Sequence, residues 1–231
     1  MTIVCGTDLS DNANHAVKAA FALARLRKDR ELVLTHVLDA DADDRDAAAA
    51  TARDHLASCI AAASSDRVPA ARIEMVAGPA VESLLATTET EGGDLLVVSS
   101  RGAANTSLLS LGGTSGGVVA SASIPVLVVR DAAPLEAWSR GDRPLRVLIG
   151  LDESASCDPA IGLLRQLRAL GPVDVIAGHV YYTDEAARRY GVKSRSMVDA
   201  DPAVELLLRR DLERRLGELP GAGTIEFRFR V

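Results

Sequence analysis

A stretch rich in glycine and hydroxyl side chains has the composition of an anion-binding loop. It begins with Ser-Ser-Arg-Gly at residues 99–102 and, after nine further residues, continues with Gly-Gly-Thr-Ser at residues 112–115. Glycines there let the backbone come close to a ligand. A helix that starts at Thr114 or Ser115 would point several free N–H groups and the positive end of its dipole at one place. The pattern therefore predicts an anion site, with phosphate as the expected anion.

Two enzyme motifs share part of this loop, and each lacks a required feature. Residues 112–117 have the spacing of the start of a P-loop, but Val118 stands where a Walker-type NTPase has its lysine. Ser115 is also the centre of a Gly-x-Ser-x-Gly match, with Asp152 and His179 following in hydrolase order. A nucleophile elbow must lie directly after a strand, whereas Ser115 comes well after the nearest predicted strand. The sequence disfavours both enzymes.

An internal repeat reveals the segments that must position this loop. Residues 4–10, Val-Cys-Gly-Thr-Asp-Leu-Ser, align with residues 148–154, Leu-Ile-Gly-Leu-Asp-Glu-Ser. Each is a short apolar strand that ends in Gly-x-Asp-x-Ser and is followed by apolar residues at helical spacing. A second strand then ends in His-Val in both copies, at residues 36–37 and 179–180. The chain therefore contains two copies of one β-α-β unit.

The first copy goes on to alternate helices and strands. Apolar periodicity predicts helices at residues 44–63, 79–90 and about 114–122, and strands at residues 73–77, 95–98 and 126–129. The run at 95–98 is continuously apolar, which is typical of a strand buried on both faces by crossover helices. Strict alternation predicts an α/β fold, a doubly wound parallel sheet of five strands.

Such a sheet binds ligands beyond the carboxyl ends of its strands, where the strand order reverses. If the first strand is central and the fourth lies beside it, Asp8, Val37 and the loop at residues 99–115 share one pocket. Asp8 also has a plainer interpretation as a helix-capping carboxylate, which its repetition as Asp152 supports.

The second copy is shorter than the first. A segment with prolines and glycine at residues 132–145, which holds the only tryptophan, Trp138, is predicted as a linker. The second copy then continues after its His-Val strand with a basic solvated loop at 188–195, a long helix from Pro202 to about residue 219 and a strand at 224–231. It has no phosphate loop, and its strand at 145–151 has a free edge. We expect either a truncated form of a longer tandem protein or a partner subunit that completes this edge.

The composition argues against several classes of partner. A formal net charge of −6 and 3% aromatic residues do not suit a nucleic-acid-binding surface. No apolar run approaches the ~20 residues that cross a bilayer, and no export signal precedes the first strand. Cys5, Cys59 and Cys157 lie far apart without zinc-site spacing, so we expect a cytoplasmic protein with reduced, buried cysteines.

The aspartate that ends the first strand and the later glycine loop make the chain resemble a universal stress protein of the tandem type. Nucleotide-binding members of that family bind ATP through Gly-x-x-Gly, nine residues and Gly-Ser/Thr. The resemblance covers residues 2–130 as a whole repeat and residues 146–231 as a partial one. It implies the strand order 3-2-1-4-5, with a nucleotide-binding domain at residues 1–131, a linker at 132–145 and a truncated repeat at 146–231.

The resemblance also implies a role for individual residues. Asp8 would accept hydrogen bonds from an adenosine whose base lies beside Val37, and Arg101 would pair with an oxyanion. Ser99 stands in the family's first glycine position, and Gly113 stands in its Ser/Thr position. The residues expected to wrap the ribose and phosphates are Gly102, Gly112, Gly113, Thr114 and Ser115.

The function implied is that of a cytoplasmic stress-response protein that binds ATP, ADP or AMP, with or without magnesium, as a sensor or regulator. No general base or carboxylate pair is evident beside the phosphates, so any ATP hydrolysis is expected to be slow. The alternative is a degenerate module that binds no nucleotide and works through dimerisation or partner contact. The resemblance suggests a homodimer formed through residues 126–129.

Overall fold

The computed structural model describes residues 2–28, 31–38, 45–63, 70–102, 111–192 and 200–230. The chain divides into two units, Met1–Arg140 and Gly141–Val231, each of which has its own sheet. No helix among the described residues is both long and apolar enough to span a membrane.

The first unit is built on five parallel strands. They are β1 (Thr2–Thr7), β2 (Glu31–Leu38), β3 (Ala70–Ala77), β4 (Leu95–Ser99) and β5 (Val126–Val129). Their order in the sheet is β3-β2-β1-β4-β5, which confirms the predicted fold. All five residues of β4 are buried, as expected for a continuously apolar strand in the middle of a parallel sheet. The strand order reverses between β1 and β4, so a crevice opens at their carboxyl ends.

Helices cover both faces of this sheet. They are α1 (Asp11–Arg27), α2 (Arg45–Ala63), α3 (Ala80–Thr90), α4 (Gly113–Ser121) and α5 (Ala133–Arg140). Helix α1 packs against β1 and β4, where the small side chains of its alanines allow a close approach, and it also contacts α2 and α5. Helices α3 and α4 pack against each other, and Leu84 and Val118 join the core cluster that contains Val4, Val33 and Leu96.

The segment predicted as a linker at residues 132–145 differs from that expectation. Eight of its residues form α5, which packs on α1 and buries Trp138 to 2% exposure. The side chain of Ser139 also accepts a hydrogen bond from Arg25 at 2.5 Å. Pro134 had indicated a break, but it occupies the first turn of the helix, where the backbone N–H has no helical partner to lose.

The second unit has three parallel strands in the order β6-β7-β8. Its elements are β6 (Leu145–Gly150), α6 (Asp158–Leu170), β7 (Val173–Val180), α7 (Thr183–Tyr190), α8 (Pro202–Leu216) and β8 (Ile225–Arg230). Helix α6 begins at the predicted Asp158-Pro159 pair. Within the described sheet β6 pairs with β7 alone and is an edge strand, as predicted, and Leu148 on it is 73% exposed.

The basic stretch predicted as a loop begins as a helix. Arg188 and Arg189 are exposed but lie in the last turn of α7, where cations favour the negative end of the helix dipole. Arg188 pairs with Asp184 one turn earlier at 3.2 Å. Residues 193–195 lie outside the described residues.

The three cysteines are free thiols, but they are not alike. Cys5 on β1 is completely buried, and burial raises the pKa of its thiol to about 12, so it behaves as a small apolar side chain. Cys59 and Cys157 are partly exposed, so the prediction that all three are buried is wrong. Cys59 lies on α2, with its thiol 3.8 Å from Asn14 Oδ1 of α1, and Cys157 lies just before α6, with its thiol 3.1 Å from Asp152 Oδ1.

Candidate functional site

A cavity of about 360 Å³ lies in the first unit at the carboxyl ends of β1 and β4. This is the reversal point of the strand order, where open parallel sheets bind their ligands. The described residues that line the cavity are Gly6, Thr7, Asp8, Val37, Ala80, Leu84, Val98, Ser99, Gly102, Gly112, Gly113, Thr114 and Ser115.

Asp8, the first residue after β1, is held by the start of α1. Its Oδ1 accepts hydrogen bonds from the Ser10 backbone N–H at 3.2 Å and from the Ser10 hydroxyl at 2.6 Å. Ser10 is the N-cap of α1, and its Oγ accepts a hydrogen bond from the Ala13 N–H at 3.2 Å. Asp8 is therefore not the cap itself; it orients the cap, and the cap orients the carboxylate.

The turn between Asp8 and the helix has a strained backbone. Leu9 has a φ of 64°, in the left-handed region that costs a residue with a Cβ roughly 1–2 kcal/mol. Its backbone N–H donates to the Thr7 hydroxyl at 3.1 Å. The strain is retained beside the cavity, where it directs the Asp8 carboxylate towards the loop that follows β4.

Gly102 brings that loop against the second oxygen of Asp8. A Cβ added at Gly102 would lie 2.5 Å from Asp8 Oδ2, which is far inside van der Waals contact. Only glycine permits this approach of the backbone to the carboxylate. The other end of the loop is fixed where the Gly112 N–H donates to the Ser100 carbonyl at 2.9 Å.

Two serine hydroxyls hold the shape of the loop. The buried Ser115 hydroxyl donates to the Ser99 carbonyl at 2.6 Å, and the Ser99 hydroxyl donates to the Arg101 carbonyl at 2.8 Å. Both hydroxyl groups thus donate to backbone carbonyl oxygens of the protein. Their contribution to the site is to position the start of α4.

The N-terminus of α4 faces the cavity through Gly113 and Thr114, which are exposed. Its N-cap is Gly112, which has no side chain to accept a hydrogen bond from the first turn. The first backbone N–H groups of a helix lack helical acceptors, and the dipole adds about half a positive charge there. This end of the cavity therefore offers donors to an anion.

Another part of the cavity wall is apolar. Val37, Val98, Ala80 and Leu84 contribute to it from two strands and α3. Leu84 packs so closely on β1 that a Cβ at Gly6 would lie 2.9 Å from its methyl groups. The cavity therefore joins a carboxylate, an apolar wall and an anion-binding helix end, which suits a ligand with a flat apolar ring, hydroxyl groups and a phosphate.

The structure brings eight of the nine predicted site residues to the cavity wall. The exception is Arg101, whose side chain does not line it. Gly6, Thr7 and Val98 also line the cavity, and they lie at the carboxyl ends of the strands, where the sequence predicted the pocket. The sequence analysis missed Ala80 and Leu84, which reach the site only through the packing of α3 on β1 and β2.

The arrangement is suited to binding. Among the residues that the structure describes, Asp8 is the single titratable side chain that lines the cavity, and no group of three or more His, Cys, Asp or Glu could hold a metal ion. His36 lies at the end of β2, with its Nδ1 2.8 Å from the Thr7 carbonyl oxygen. This contact links the ends of β1 and β2.

The second unit repeats the Asp8 turn but not the loop. Asp152 Oδ1 accepts hydrogen bonds from the Ser154 N–H at 2.8 Å and the Ser154 hydroxyl at 2.6 Å. These bonds, with one from Cys157, lower the pKa of Asp152 to about 2. His179 Nδ1 lies 2.7 Å from the Leu151 carbonyl oxygen, as His36 does in the first unit. The turn is a structural feature of both units, and the glycine loop distinguishes the first.

Comparisons with known structures agree with this fold. A universal stress protein from Archaeoglobus fulgidus DSM 4304 matches 98% of this chain and 77% of its own, at 20% identity and a TM-score of 0.63. A universal stress protein in complex with cAMP matches 56% of this chain and 96% of its own, at 24% identity and a TM-score of 0.46. One from Archaeoglobus fulgidus in complex with dAMP matches 55% of this chain and 96% of its own, at 18% identity and a TM-score of 0.46.

No curated protein matches the chain. The family model of the universal stress protein family does match, over residues 1–130, which is the whole of the first sheet with its helices α1–α4. The glycine loop, the Asp8 turn and the five-stranded order all fall within that match. The chain belongs to the universal stress protein family.

Proposed function

We propose that the first unit binds an adenine nucleotide and that the protein acts as a cytoplasmic stress-response sensor or regulator. The observation that carries the proposal is the meeting of the Asp8 carboxylate and the N-terminus of α4 in one cavity. The two elements lie far apart in the sequence, and the Gly102 contact and the Ser99–Ser115 bond bring them together.

The polar groups of the cavity match the two ends of such a ligand. A carboxylate is an acceptor, and the two ribose hydroxyls of a nucleotide are donors that suit Asp8. The backbone N–H groups at the start of α4 suit the phosphate. Val37 and Val98 offer an apolar surface to the base. ATP, ADP and AMP, with or without magnesium, are the ligands to test, and cAMP and dAMP join them because family structures hold them.

The site favours a sensor over a fast enzyme. General-base catalysis needs a titratable group within reach of the attacking water, and Asp8 is engaged with Ser10. Any hydrolysis of ATP is therefore slow by this proposal, and the nucleotide acts as a signal.

A second candidate function is a module that works through dimerisation or partner contact. The observation in its favour is that β5 (Val126–Val129) pairs with β4 alone in the described sheet, so its outer edge is available to a second strand. A homodimer through β5 is compatible with nucleotide binding, and becomes the main function only if the cavity binds none.

The test uses the two repeats as internal controls. Purified full chain is titrated with adenine nucleotides by calorimetry, and Asp8→Ala is compared with Asp152→Ala, which alters the same turn in the unit that has no glycine loop. Asp8→Ala should weaken binding at least about tenfold, and Asp152→Ala should leave it unchanged. Asp8→Asn keeps an acceptor for Ser10 but removes the negative charge. This variant therefore distinguishes the effect of disrupting the turn from the effect of losing the charged acceptor for the ligand.

Two results would overturn the proposal. Wild-type protein that binds no adenine nucleotide would leave the dimerisation module as the function. Equal binding by wild type and Asp8→Ala, with the fold intact by circular dichroism, would show that the nucleotide occupies another site.

A further inference from the structure

The end of the cavity formed by the N-terminus of α4 is called here the phosphate end, because the proposed nucleotide would place its phosphate there. This end is poor in positive charge. Residues 99–122, which contain the whole glycine loop and α4, include a single cation, Arg101, and residues 103–110 contain neither Lys nor Arg. None of the described residues that line the cavity is cationic. Arg101 and Arg130 follow the carboxyl ends of β4 and β5, and neither lines the cavity.

Negative charge is present in the same cavity. Asp8 lines it, and the chain as a whole carries a formal net charge of −6. Against this, the N-terminus of α4 contributes about half a positive charge. A single phosphate group carries about −1.5 to −2 at pH 7, and every further phosphate adds repulsion that none of the described side chains lining the cavity offsets.

Among the described residues of the loop and the first turn of α4, hydroxyl donors for additional phosphates are also few. Gly113 has no side chain, and the Ser115 hydroxyl donates to the Ser99 carbonyl. Thr114 is the one exposed hydroxyl in the first turn of α4. One phosphate placed on the backbone N–H groups of this turn would use the donors that the helix end provides.

The size of the cavity agrees with a small ligand. At about 360 Å³ it lies near the lower end of the roughly 300–1,000 Å³ of small-molecule sites. Resting on the proposed function, we infer that the site selects an adenine nucleotide with a single phosphate over the di- and triphosphate. The chain then senses the monophosphate, and ATP is a weak competitor.

The experiment compares ligands that differ only in phosphate number. Full-length protein is titrated with adenosine, AMP, ADP and ATP, the last two with and without magnesium. AMP should bind at least about tenfold more tightly than ATP and also more tightly than adenosine. The difference between AMP and ATP should narrow as ionic strength rises, because salt screens the repulsion.

Two variants that each add a positive charge test whether the lack of cations at the cavity causes the preference for AMP over ATP. A side chain at Gly113 meets nothing within 4 Å, and Gly113→Lys adds a cation at the phosphate end. It should improve ATP binding about tenfold relative to AMP. The control Gly116→Lys adds the same charge to the same helix, also into open space, at a residue that does not line the cavity, and should leave the ratio unchanged.

The outcomes separate this inference from the proposed function. ATP binding as tight as AMP binding, or tighter, overturns the inference and leaves the nucleotide site standing. Adenosine binding as tight as AMP binding also overturns it, because the phosphate then contributes nothing. If no adenine compound binds, both proposals fail.

Discussion

The contact between the glycine loop and Asp8 depends on the absence of one side chain. In Gly102→Ala the new methyl group would lie 2.5 Å from Asp8 Oδ2, so the loop or the carboxylate must move. We expect adenine-nucleotide affinity to fall by roughly tenfold, or about 1.4 kcal/mol, as measured by calorimetry. Gly116→Ala, on a helix position with open space, is the control that should bind as the wild type does. Unchanged affinity in Gly102→Ala would contradict this geometry.

Single residues also show how far spacing alone can locate a site. Asp8, Gly102 and Gly112 were predictable because each follows a strand or precedes a helix, and parallel strands end at a common edge. The direction of the Arg101 side chain was not predictable, since spacing along a loop does not fix where a long side chain points. Leu84 reaches the cavity through tertiary packing of α3, which leaves no local signal.

At the scale of elements, segments with a clear apolar pattern were predictable and short helices without one were not. The five strands of the first sheet and the start of α6 agree with the apolar patterns. Helices α5 and α7 have eight residues each, about two turns, which is too short for a repeating apolar pattern to stand out. They form because packing stabilises them: Trp138 and Ala187 are almost completely buried.

The end of α1 offers a stability test at this scale. Its C-cap, the exposed Lys28, has a φ of 56°, a conformation that glycine adopts without strain. Lys28→Gly should raise the free energy of unfolding of the first unit by roughly 1 kcal/mol. Gly92→Ala, at a φ of 59° after α3, should lower it by a similar amount. Urea unfolding followed by the fluorescence of Trp138, the only tryptophan, measures both, and effects of the opposite sign would refute the argument.

At the scale of the molecule, the two units begin alike and differ in what covers their sheets. The repeat was visible in the sequence, and the structure gives it a common register: Val4 pairs with Val33 in β1 and β2, and Leu148 pairs with Ile176 in β6 and β7. Val4 is completely buried with Leu84 and Val118 in its cluster, whereas Leu148 is 73% exposed. Equivalent strands thus have different surroundings, which no strand pattern records.

An exposed leucine on an edge strand favours association between molecules. Val180, on the neighbouring strand, is also 74% exposed, so β6 and β7 together present apolar surface beside an unpaired edge of the described sheet. We expect Leu148→Lys to reduce the concentration-dependent mass of the protein in sedimentation experiments, because the charge must be desolvated on contact. Leu163→Lys, on the outer face of α6 at 37% exposure, should not. The free energy of unfolding of Leu148→Lys should differ from that of the wild type by less than about 0.5 kcal/mol, as for other surface substitutions. Association that persists in Leu148→Lys at the wild-type level would assign it to another surface, such as the edge of β5.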